Sequence, residues 1–186
     1  IPVPSDFPTT VTGSKLGIHS ILPAETLAYV RDISLAGGHV ATVKAVADIG
    51  WLKEVKVIDP SVITIGRFIG LPGGVDEEAP PLTGDLKAIA QQIWDVVWPA
   101  FAPHIAYTDY LEITNELDPV GAEGHALFAK LWMEIIKIVN AFNEQTGNNI
   151  RLAIFSYSMG VPEWFEWVAI FKTGIFQLAK ASKCIL

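Results

Sequence analysis

In the stretch Tyr107-Thr108-Asp109-Tyr110-Leu111-Glu112-Ile113-Thr114-Asn115-Glu116-Leu117-Asp118-Pro119, apolar Leu111 and Ile113 alternate with polar Glu112, Thr114 and Glu116. Side chains along a strand point to opposite faces in turn. Leu111 and Ile113 therefore share one face, and Glu112, Thr114 and Glu116 share the other. Asp118 and Pro119 supply helix-start chemistry, with Asp118 as N-cap and Pro119 at the first helical position. The stretch describes a strand that runs into a helix, with Glu116 standing highest at the strand's C-terminal end.

The same alternation of short apolar strands and amphipathic helices extends in both directions. Strands are expected at residues 15–21, 39–46, 62–68, 107–114 and 150–157. Helices are expected from Pro23 to the Gly37-Gly38 stop, over 48–57, over 85–101, from 120 to 146 before Gly147-Asn148-Asn149, and from Pro162 to 181. Cys184-Ile185-Leu186 reads as the opening of a sixth strand. Repeated βα units imply an α/β fold with a mostly parallel sheet and right-handed crossovers. Residues 1–14, rich in Pro, Thr and Ser, read as a tail or linker, and 15–186 as the folded domain. A doubly wound sheet and a barrel both fit the pattern. No GxGxxG or phosphate-loop sequence follows the first strand, which leaves nucleotide binding without support.

The 186 residues are 51% hydrophobic and only 18% charged, as suits strands buried on both faces. No run reaches the roughly 18 apolar residues of a membrane span. With 20 Asp and Glu against 13 Lys and Arg, the net charge is −7, and no basic stripe is present to bind nucleic acid. The single cysteine, Cys184, excludes an intrachain disulfide. The four histidines are scattered without metal-ligand spacing, so neither a metal nor another cofactor is expected.

The run Tyr110 to Glu116 resembles the fourth strand of clan A glycoside hydrolases, which ends on an Asn-Glu pair. Gly17-Ile18-His19 and Gly66-Arg67-Phe68 look similar to the same group. The resemblance implies a (β/α)8 TIM-barrel type fold, here partial, with about five to six parallel strands and an active site at the C-terminal mouth. It implies a retaining glycosidase in which Glu116 is the general acid/base and Asn115 bonds the sugar 2-hydroxyl. Glycoside hydrolysis needs one carboxyl group to protonate the leaving oxygen and a second to attack or activate water. In this clan the second carboxylate ends strand seven, beyond the five to six units visible here. Glu163 and Glu166 begin a helix and do not match its place. The ending at Cys184-Ile185-Leu186 is therefore expected to be a truncation, with a second copy able to cover the open edge as a homodimer.

Other residues have two readings each. Lys44, Glu112 and Arg67 are expected to form a buried ion network, because an isolated buried charge is costly. Arg67 could also orient a substrate, and Lys44 could instead form a Schiff base in a different barrel enzyme. His19 and Tyr157, at strand ends, are candidate substrate contacts. His39 reads as structural, and His104 and His125 as surface residues. Asp76-Glu77-Glu78 reads as a solvated loop. Trp164, Phe165 and Trp167 offer faces on which a sugar can stack, whereas Trp94, Trp98 and Trp132 read as core. The alternative function is a carbohydrate-binding or scaffold half-barrel without hydrolysis. A secreted or extracellular location is favoured.

Overall fold

The structure, a computed structural model, describes residues 17–71, 76, 79–157 and 160–186. The expected tail, the first two residues of the expected first strand, and Glu77, Glu78 and Ser158 lie outside the described residues.

Strands and helices alternate as β1 (Gly17–Ser20), α1 (Pro23–Leu35), β2 (Thr42–Val46), α2 (Leu52–Ile58), β3 (Ile63–Arg67), α3 (Leu86–Phe101), β4 (Tyr110–Glu112), α4 (Gly121–Thr146), β5 (Leu152–Ala153), α5 (Trp164–Lys172) and α6 (Ile175–Ala181). The protein is α/β, with a five-stranded parallel sheet in the order β1-β2-β3-β4-β5. Strands added in sequence order by right-handed crossovers put every connecting helix on the same face. Burial agrees with that geometry. Val43, Ala45, Leu111 and Leu152, which face the helices, are at most 1% exposed. On the opposite face Lys44, Ile65 and Tyr110 are half-buried and Ile63 is exposed. Gly66 permits the close fit of β3 on its helix side: a Cβ there would come within 2.8 Å of Ile49 Cδ1 and 3.1 Å of Thr108 Cγ2.

Several elements are shorter than expected. Residues 102–107 wind into a 3-10 helix, Ala102–Tyr107, so β4 starts only at Tyr110. Ile105 and Tyr107 pack on the core from that helix, and their apolar character imitates strand alternation. β5 keeps two residues, because Phe155 (φ 73°) and Ser156 (φ 49°) turn out of the extended region. The helix expected from 162 to 181 divides at Gly174, whose φ of 82° ends one helix and starts the next. α4 begins at Gly121 with Val120 as its N-cap, so Asp118 and Pro119 precede the helix and do not start it. Where the opening of a sixth strand is expected, Ile185 makes a single parallel bridge to Ala153 of β5.

The N-terminal edge of the sheet is tied together by Asp109. Its carboxylate accepts from Lys56 Nζ (2.6 Å), Thr64 N (2.8 Å) and Thr64 Oγ1 (3.1 Å), and lies 3.5 Å from Arg151 Nη2. Burial alone would raise its pKa, but the Lys56 and Thr64 hydrogen bonds outweigh burial and hold it below the usual carboxylate range. A carboxyl depressed on folding stabilises above its unfolded pKa of about 3.9 and loses that contribution as pH falls through the folded value. Asp109→Asn is therefore expected to cost about 1.5–3 kcal/mol at pH 7. In urea titrations at successive pH values, the wild-type and variant stabilities should converge below about pH 4.

Candidate functional site

The face of the sheet turned away from the helices carries the charged residues. Register places His19 beside Lys44 and Arg67 beside Glu112. Lys44 Nζ donates to Glu112 Oε1 at 2.6 Å, reaching over β3, and Arg67 Nη1 stands 3.7 Å from the same oxygen. Glu112 is 4% exposed and Arg67 6%. Arg67 Nε and Nη1 are buried and make no hydrogen bond among the described residues. The expected ion network of Lys44, Glu112 and Arg67 is thus assembled, with Lys44 as the close partner.

His19 is exposed at the end of β1. Its pKa lies below the ordinary histidine value, first through burial and then through the nearby charges of Lys44 and Arg67, against the opposing pull of Glu112 and Glu116. Glu116 is exposed, four residues past β4. Strand alternation does not continue to Glu116. Thr114 Oγ1 donates to Phe155 O at 3.2 Å, Asn115 is buried, and Glu116 adopts φ 48° with its N–H donating to Ser156 O at 2.8 Å.

Left-handed backbone at residues other than glycine is uncommon, costs of order 1–3 kcal/mol each, and clusters at functional sites. Ala47 (φ 69°) follows β2, Glu116 follows β4, and Phe155 and Ser156 follow β5. Four such residues thus stand past the C-terminal ends of three strands, on one rim of the sheet. Relief of this strain is measurable: Ser156→Gly is expected to stabilise by about 0.5–1 kcal/mol, the relief exceeding glycine's extra unfolded-state entropy. A thermal melt that moves downward would show that Ser156 is unstrained.

Tyr157 is placed differently from His19 and Arg67. Its ring packs against Phe128, His125 and Trp167 of the helix layer, and its hydroxyl lies 3.3 Å from His125 Nδ1. Burial, followed by the charges of Glu166 and Asp118, raises its pKa. His125 is a correction to the sequence reading: it is fully buried. Its Nε2 stands 3.3 Å from Glu166 Oε2 and 3.6 Å from Asp118 Oδ1. The spacing of His125, Phe128, Ala129 and Trp132 marks one helical stripe, and that signal identifies the buried histidine. His104 is half-buried rather than fully at the surface, with its ring near those of Phe68 and Tyr107. His39 meets Asp59 at 2.9 Å. Trp94 and Trp132 are buried, Trp98 is partly buried against the core, and Trp164 and Phe165 are exposed in the first turn of α5.

Among the described residues, no group of three His, Cys, Asp or Glu side chains is arranged to hold a metal ion. No helix among them is long and apolar enough to cross a membrane. No protein-family model, no curated protein and no solved structure matches the chain.

Proposed function

We propose that this chain belongs to a retaining glycoside hydrolase of the (β/α)8-barrel type, with Glu116 as its general acid/base. The observation that carries this reading is the position of Glu116. It follows Asn115 past the end of β4, in a left-handed turn on the strand rim. In-order parallel strands with one face uncovered by the described residues fit a barrel wall, whose active site lies at the strands' C-terminal ends. In the free chain Glu116 is exposed, so the exclusion of water that proton transfer to a leaving oxygen requires comes from the bound sugar. Asn115, buried beside it, would hold the sugar hydroxyl, and Trp164 and Phe165 offer exposed rings at the same end of the sheet.

Glu112, the other carboxylate on the open face, is held by Lys44 at 2.6 Å. That contact favours, as a second reading, a half-barrel that binds carbohydrate without cleaving it. It also counts against a Schiff-base role for Lys44, whose Nζ is engaged. Hydrolysis of oligosaccharides and alkyl glycosides, whose leaving oxygens need protonation, set beside equilibrium binding of the same sugars, separates the two. Cleavage that disappears in Glu116→Gln supports the hydrolase. Binding without cleavage in a chain that also carries the second carboxylate supports the second reading, and cleavage that survives Glu116→Gln removes the assignment of Glu116.

A further inference from the structure

We propose that the open face binds a sugar bearing a carboxylate, a uronic acid residue, whose negative charge is taken up by Arg67. The inference rests on the glycoside reading above and adds the class of sugar.

The charge balance of the face is the starting point. Lys44 and Arg67 each carry a positive charge, and Glu112 supplies one negative charge between them. Lys44 takes that carboxylate at 2.6 Å and leaves Arg67 at 3.7 Å. Arg67 is therefore the cation of the pair that has no carboxylate within hydrogen-bonding distance.

Arg67 is also the more deeply buried of the two cations. The residue is 6% exposed, and its Nε and Nη1 are buried without a hydrogen bond among the described residues. A buried guanidinium in that state is expensive, and an anion that supplies acceptors removes the cost. The potential felt by a neighbour agrees: at His19 the depressing influence of Lys44 and Arg67 exceeds the opposing influence of Glu112 and Glu116. A planar carboxylate is the anion that matches a two-donor edge of a guanidinium. Lys44, half-buried, and His19, exposed, leave the approach open from the β1 side. Small rotamer changes on binding, which are common, would bring the guanidinium to the ligand.

The test is calorimetric titration of the folded chain with D-glucuronate and D-galacturonate, set against D-glucose, D-galactose and acetate at one ionic strength. The same series is run on Arg67→Met. That variant keeps the Lys44–Glu112 pair and loses only the unsatisfied cation, so its melting temperature should hold or rise. The expected result is at least a tenfold preference for a uronate over its neutral counterpart, reduced below twofold in Arg67→Met. Equal binding of acidic and neutral sugars overturns the uronate assignment and leaves the glycoside reading standing. So does a preference that survives Arg67→Met, or acetate binding as tightly as the uronate. Failure of every sugar to bind removes both.

Discussion

In a chain that also carries the second carboxylate, Glu116→Gln is expected to lower the rate of glycoside hydrolysis by about 10²- to 10⁴-fold, the range that a positioned proton donor contributes. Glutamine keeps the size of the side chain and its exposed place on the rim, so the fold and sugar binding should persist. The loss should depend on the leaving group. A poor leaving group needs its oxygen protonated as the bond breaks, and its cleavage should fall by the full factor. A nitrophenolate leaves without that help, and its release should fall much less. Loss of the acid also removes the later activation of water, because in a retaining mechanism one residue serves both steps. A uniform loss across leaving groups would mean that Glu116 acts through binding or folding instead.

Glu112→Ala is expected to cost about 3–5 kcal/mol of stability, because it leaves two cations on the open face without their shared carboxylate. For a domain of this size that corresponds to a fall of about 6–20 °C in melting temperature. The effect should be strongly non-additive. In Glu112→Ala with Arg67→Met only Lys44 remains charged, and Lys44 is exposed enough to rotate towards water. The double variant should therefore recover more than 1 kcal/mol relative to the additive sum, as residues sharing one ion network do. Additive losses would mean that Arg67 and Glu112 do not interact at 3.7 Å.

Much of the architecture was legible because it rests on periodicity. Leu111 lies against the helices and Glu112 opposite, as alternation requires, and the winding order follows from repeated βα units. Gly147, in the left-handed region, ends α4 where the Gly147-Asn148-Asn149 stop was read. The ion network was legible too, since charged residues on the same face of neighbouring strands come within reach of one another. What alternation cannot convey is where a strand stops. Glu116, Phe155 and Ser156 turn left-handed although none is a glycine or asparagine, so the sequence carried no sign that the polar face ends before Glu116. His125 was missed for a different reason. Its polarity outweighed its place in an apolar helical stripe, and its carboxylate neighbours, Glu166 and Asp118, come from separate segments of the chain. Asp118 was read as an N-cap, but its carboxylate faces His125.

The most direct test of Glu116 as the acid/base is a crystal structure of Glu116→Gln soaked with an oligosaccharide that the wild-type chain binds. The expected result places a glycosidic oxygen within about 3 Å of the Gln side chain, over the face that carries His19, Lys44 and Arg67. A sugar bound elsewhere, with residue 116 still turned to solvent, would contradict it.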